Sequence, residues 1–203
     1  MAGSRPVKEK KERALDERLF LKAERCNSHK CVMVRRPYPP GEHGEDKDRR
    51  KSEYGRQLQE KQKVQIVYGL TNKQMKNIFE EHAGDPKEIV KTLEKRSDRV
   101  VYLLGFARSP RIARQMVAHG HIHVNGRKVT IPSYEIEEDD EVTVRPQSRE
   151  NGLFEDLGIR LKNHEPPEWL KLNKDEERGV CVGQPSQDAI LPFDINMVGE
   201  YYS

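Results

Sequence analysis

The sequence predicts an α+β protein. It reads as an extended basic amino-terminal arm, a small helical domain, and a module of short helices followed by a small antiparallel β-sheet. Three observations carry that expectation. Helix starts are marked at Ser52, Thr71, Asp85 and Ser109, each a residue whose side chain can accept from the free N–H groups of a first turn. Apolar spacing changes from helical to alternating just after Gly120. Asn125-Gly126 lies inside the alternating stretch, where a type I′ hairpin turn needs two residues at positive φ.

In chain order, residues 1–51 read as an extended polar arm. RRPYPPGEHG (35–44) has prolines that favour an extended backbone and glycines that allow turns. EDKDRRK (45–51) continues as solvated charge. A helix runs from Ser52 to Gly69, which suits a left-handed exit. Thr71 and Gln74 form a capping box, with Leu70 and Met75 placed as a hydrophobic staple, and this helix ends near Gly84. Asp85-Pro86 starts the next, which carries Ile89, Val90 and Leu93. A short helix around Val100–Leu104 stops at Gly105. Ser109-Pro110 opens another that reaches about His119. Then HIHVNGRKV alternates as a hairpin, and EVTVR (141–145) adds a strand after an acidic turn. The tail reads as irregular, with proline turns and the single Trp169.

Composition limits the size of any core. The chain has 203 residues, of which 34% are hydrophobic and 35% charged, with a mean hydropathy of −0.94. Small domains, with some burial supplied by a partner, fit better than one large core. The formal net charge of +3 hides a gradient: residues 1–65 hold 18 Lys/Arg against 11 Asp/Glu, and residues 146–203 hold 6 against 11. The basic end suits a polyanion such as nucleic acid. Three cysteines, Cys26, Cys31 and Cys181, make no disulfide framework, which fits a reducing compartment. The start has no apolar stretch of signal-peptide length, and the longest apolar run, VVYLLGFA (100–107), is far short of a membrane span. A soluble cytoplasmic protein is the expectation.

RSPRIARQMVAHGHIHVNGRKVT (108–130) concentrates four arginines, a lysine and three histidines. On a helical wheel Ile112, Ala113, Met116 and Val117 share one face, while Arg111 and Arg114 fall about 160° away. Arg108 precedes the cap, and Arg127 and Lys128 follow the hairpin turn within reach of the same side. Guanidiniums match phosphate oxygens as planar forks, and a helix start adds N–H groups. A merely solvated face is the competing reading. To this surface the sequence adds arm residues Arg35, Arg36, His43, Arg49, Arg50 and Lys51, and Arg56 and Lys61 of the first long helix, as RNA contacts.

VVYLLGFARSPRIARQMVAHGHIHVNGRKVTIPSY closely resembles the RNA-binding module named after bacterial small-subunit ribosomal protein four. LFLKAERC, RRPYPPGEHG, SEYGRQLQEKQKVQIVYG, PPEWLKL and DIN...EYYS resemble that ribosomal family itself, in its order and spacing, over roughly residues 19–203. The resemblance implies a structural protein that binds small-subunit rRNA directly at a junction in the 5′ domain and nucleates assembly. It also implies a position near the messenger entry and contact with neighbouring protein five, where decoding accuracy is affected; some members repress their own operon. It implies a helical domain of residues 52–96 completed by 165–203, with the RNA-binding module of residues 97–164 inserted. A free RNA-binding translational regulator is the alternative.

Some family members bind zinc through a C-x-x-C pair followed by C-x4-C. Cys26 and Cys31 keep the second pair, but Glu9 and Glu12 stand at the spacing of the first, and His29 is the remaining nearby donor. That set falls short of a closed Cys/His site, so a metal-free arm without cofactor is expected. Tyr54 is read as core packing, Cys181 as a small buried residue, and EIEEDDE (135–141) as a solvated turn. Asp156, Glu165, Glu168, Asp175, Glu176 and Glu177 are expected to face protein or solvent. No nucleophile-and-base pair or phosphate-cradling loop is visible, so no enzyme is expected.

Overall fold

The computed structural model describes residues 8–21, 25–46, 51–185 and 191–202. The chain divides into two compact units, one of residues 1–84 with 191–203 and one of residues 85–190.

The first unit is helical. Its arm is not extended: α1 (Lys8–Leu15) and the single turn α2 (Val32–Arg35) fold onto buried Leu15, Leu19, Leu21, Cys26 and Cys31. The reason lies in two neighbouring side chains of α1. Glu12, only 2% exposed, accepts from the N–H groups of Leu19 and Leu21 at 3.1 and 3.2 Å. Arg13 donates to the carbonyls of Tyr38 (2.8 Å) and Pro39 (3.1 Å) and lies over the Tyr38 ring. The prolines and glycines of the arm therefore shape a pinned loop.

α3 (Glu53–Tyr68) begins at Ser52, whose hydroxyl accepts from the Gly55 N–H, and ends at Gly69 with φ +62°. α4 (Asn72–Glu81) carries the full Thr71–Gln74 capping box. The last helix, α9 (Ile195–Tyr202), packs along α3 and touches α4. Phe193 meets Tyr68 edge-on, and Tyr202 lies 4.8 Å from the Phe79 ring.

The second unit holds α5 (Pro86–Glu94), α6 (Ser97–Leu103), α7 (Pro110–Ala118), α8 (Leu157–Lys162) and one sheet. Its strands are β1 (Ile122–Val124), β2 (Arg127–Val129), β3 (Glu141–Val144), β4 (Leu170–Asn173) and β5 (Arg178–Cys181). They run in the order β2-β1-β3-β5-β4, each pair antiparallel. Asn125 and Gly126, at φ +50° and +73°, turn β1 into β2 with Ile122 opposite Val129.

Three sequence expectations change here. The tail is not irregular, and it does not all join the helices: β4 and β5 extend the module's sheet, so only residues 191–203 complete the first unit. Backbone pairing of Thr143 with Arg178 and Leu172 with Gly179 holds them there. Gly179 is required because a Cβ would fall 2.3 Å from a Leu104 methyl. Second, Trp169 and Leu170 join the module's core, with Phe106, Met116, Ile122, Val142 and Leu161. Third, residues 85–96 lie in the second unit, and α6 starts at Ser97 rather than near Val100. Its first N–H groups find partners in a loop: Ser97 donates to the Tyr134 carbonyl (2.7 Å) and Asp98 to that of Pro132 (3.3 Å). No described helix is long and apolar enough to cross a membrane.

Candidate nucleic-acid interface

α7 is fixed by its ends and its apolar face. Ser109 caps it by accepting from the Ile112 N–H, and Pro110 occupies the first turn, where a missing N–H is harmless. Ala113, Met116 and Val117 are buried, so the helix cannot rotate without exposing them. Gly120, at φ +72°, ends it, and a Cβ there would meet the Lys128 side chain at 2.0 Å.

The arginines on the opposite face differ in how they are held. Arg111 is half-exposed and makes no hydrogen bond or ion pair among the described residues. Arg114 donates to Asp98 at 2.8 Å. Arg108 pairs with Asp156, whose other oxygen lies 3.5 Å from Arg160. Arg160 in turn donates to the carbonyls of Gly105 and Phe106 at 2.9 and 3.0 Å. The hydrogen bond from Arg108 holds the Asp156 carboxyl below the usual carboxylate range. Exposed Arg127 and Lys128 lie on β2. Because Lys128 crosses Gly120, it flanks the far end of α7, roughly 13 Å along the helix from Arg108 and Arg111. The cations edge both ends of α7 rather than gathering at its start.

Candidates in the first unit are placed less uniformly. Arg35, Arg36 and Arg56 are exposed. His43 is 85% exposed and meets Asp46 at 3.0 Å, and Lys51 donates to Gln59. Arg49 and Arg50 lie outside the described residues. Lys61 turns inward: it is 8% exposed, with its ammonium 4.1 and 5.0 Å from the Tyr201 and Tyr202 rings. Its α3 position faces α9, so cation–π packing takes the charge that the sequence reading offered to RNA. Tyr54 is the reverse case, 61% exposed with its ring tilted against Tyr201 at 5.6 Å, rather than packed in the core.

The acids of the tail are also partly committed within the fold. Asp156 serves Arg108 and Arg160, Glu176 meets Arg178, and Glu177 meets Arg149. Glu165, Glu168 and Asp175 are exposed. Sequence reasoning missed Arg13 and Asp98, and gave Glu12 and Asp156 other roles: a metal-pair position and an acid facing protein or solvent. The partners of Glu12 and Arg13 come from turns that no local pattern announces.

The Glu12 carboxylate is used by two backbone N–H groups, and His29 is exposed. Among the described residues no three His, Cys, Asp or Glu side chains are grouped to hold a metal ion. Cys26 and Cys31 are buried and not disulfide-bonded, and the Glu9 side chain lies outside those described.

His121 offers a pH-dependent check on the module. Its Nδ1 lies 2.9 Å from the Ser148 hydroxyl, with Phe154 edge-on. Burial lowers its pKa, helped by His119, Arg145 and Lys128. The unfolded chain therefore takes up this proton first as pH falls below about 6.5, and stability is lost with it. The thermal midpoint of the wild type should drop more between pH 7.5 and 5.5 than that of His121→Gln. Parallel curves would show that this imidazole does not contribute.

A short helix fixed at both ends, cations flanking it and the antiparallel hairpin that follows it are the features of an RNA-binding module of the S4-domain class. Residues 97–142 match the family model described as S4 domain, and residues 5–100 match the ribosomal protein S4/S9 N-terminal domain. The chain is 43% identical over 192 residues to small ribosomal subunit protein uS4 of Halothermothrix orenii, covering 92% of both. It is 44% identical over 192 residues to the protein of that name from Thermus thermophilus, covering 92% of this chain and 91% of that one. Protein uS4A of Symbiobacterium thermophilum is 42% identical over 191 residues, with 92% and 91% covered. The chain belongs to the uS4 family of small-subunit ribosomal proteins.

Proposed function

We propose that this chain is a structural component of the small ribosomal subunit, working in the ribosome and binding small-subunit rRNA directly. The observation that carries the reading is the rigid α7 face, with Arg111 outward on a helix locked by its apolar side and both caps. The finer reading is that the protein binds early in the 5′ domain, nucleates assembly, and meets neighbouring ribosomal protein five near the messenger entry, supporting accurate decoding. The exposed acids Glu165, Glu168 and Asp175 are suited to a protein neighbour, because phosphate repels them. Tagged protein expressed in cells should co-sediment with small subunits through a high-salt wash. Recovery only in the ribosome-free fraction would defeat the reading.

The arm works without metal in this proposal, held by Glu12 and Arg13. Purified protein should carry well under one zinc per chain by elemental analysis, and a strong chelator should leave its thermal midpoint unchanged. Stoichiometric zinc coupled to unfolding on chelation would overturn this.

A further inference from the structure

We propose that Asp98 is a positioning residue for RNA binding: its buried carboxylate aims the Arg114 guanidinium toward the phosphate that α7 receives. The inference rests on the reading of the module as an rRNA-binding surface.

Asp98 is the second residue of α6 and is 5% exposed. Arg96, equally buried, grips it with two bonds, Nε to Oδ1 at 3.0 Å and Nη2 to Oδ2 at 2.9 Å. That fork already neutralises the carboxylate. Arg114 then adds a third bond, Nη1 to Oδ2 at 2.8 Å, while 36% of its side chain stays exposed. The three groups together carry one surplus positive charge, and it lies at the surface end. A carboxylate with a purely internal task is satisfied by Arg96 alone. The second guanidinium is what links it to the outer face of α7.

The anchor itself is stiff. Ser97 donates through its N–H to the Tyr134 carbonyl and through its hydroxyl to the carbonyls of Ile131 and Pro132. The Asp98 N–H reaches the Pro132 carbonyl, and the backbone of Arg96 forms an isolated antiparallel bridge with that of Glu135. Asp98 is therefore fixed from the helix side and the loop side. A guanidinium held through Nη1 at such a point loses fewer rotamers when it meets a phosphate. Arg111, three residues earlier on the same helix, has no such tether among the described residues and must be ordered at the moment of binding.

Charge alone predicts the opposite effect for Asp98. A carboxylate near phosphate repels it, so neutralising Asp98 would strengthen binding if only net charge counted. Positioning predicts weakening, and only while Arg114 is present. The test is a double-mutant cycle in the full-length protein, titrated with an in vitro transcript of the small-subunit rRNA 5′ domain. Arg114→Gln should weaken binding about tenfold, and Asp98→Asn by about three- to tenfold. Asp98→Asn/Arg114→Gln should be no worse than Arg114→Gln within about twofold, because the two side chains act through one contact. Near-UV circular dichroism at the assay temperature checks that each variant is folded. Arg114→Lys keeps the charge but not the fork, leaves Asp98 with Arg96, and covers the case in which Asp98→Asn does not fold. It should bind nearly as poorly as Arg114→Gln. A wild type that fails to bind the transcript would defeat the functional reading and this inference with it, whereas the outcomes that follow defeat the positioning role alone. Asp98→Asn binding as tightly as the wild type, additive losses in the cycle, or Arg114→Lys binding like the wild type would each overturn the positioning role.

Discussion

Replacing Arg111 and Arg114 together with glutamine should weaken binding to small-subunit rRNA on the order of a hundredfold, since each charge-assisted phosphate contact is worth about 1.5 kcal/mol or more. The log–log salt slope should flatten by roughly one to two units, because each lost contact removes about 0.7–0.9 released counterions. The helix should persist, as both side chains lie off the buried Ala113–Met116–Val117 face. The two arginines separate in stability. Arg111→Gln should leave the melting temperature unchanged, since no internal partner among the described residues is lost. Arg114→Gln withdraws one donor from buried Asp98 and should lower it slightly. Filter binding at several salt concentrations decides the matter: an unchanged slope in a folded double variant would show that this face does not meet phosphate.

Trp169→Ala should destabilise the second unit by about 3–5 kcal/mol, the usual cost of emptying a buried aromatic site. Trp169 is buried at the entrance to β4, and its carbonyl accepts from the Val182 N–H at 2.9 Å. The ring belongs to the cluster that contains Leu104, Phe106 and Leu161. Hydrogen exchange should therefore quicken in β1, β3 and β5 and leave α3 and α4 protected. Loss of protection confined to α3 would place the indole with the helices instead, as the family resemblance implied.

That contrast shows where the sequence was legible. Ser52, Thr71, Asp85 and Ser109 announce helices because a cap acts over three residues, and Asn125-Gly126 announces a hairpin because positive φ is a property of the residue itself. β4 and β5 were hidden because four-residue strands such as RGVC gain their stability from partners far along the chain. The outward cations of α7 could be read from a wheel. Whether a cation is available could not: Lys61 and Arg56 sit on one helix, and only the arrival of α9 makes the first internal and leaves the second exposed. Glu12 and Arg13 were opaque for the same reason, since their partners are backbone groups of distant turns.

The split composition of the first unit has a consequence for the order in which the chain matures. Residues 85–190 are contiguous, so the second unit possesses everything it needs before residue 191 is synthesised. The first unit does not: Tyr68 and Phe79 wait for Phe193 and Tyr202, and Lys61 for its tyrosine box. Closing the gap by an unfolded stretch of roughly a hundred residues carries an entropy cost that grows with the logarithm of its length. Folding the second unit first removes most of that freedom in advance. A chain interrupted between the two events would own a finished RNA-binding module and an incomplete helical unit, able to engage RNA before its other half has matured.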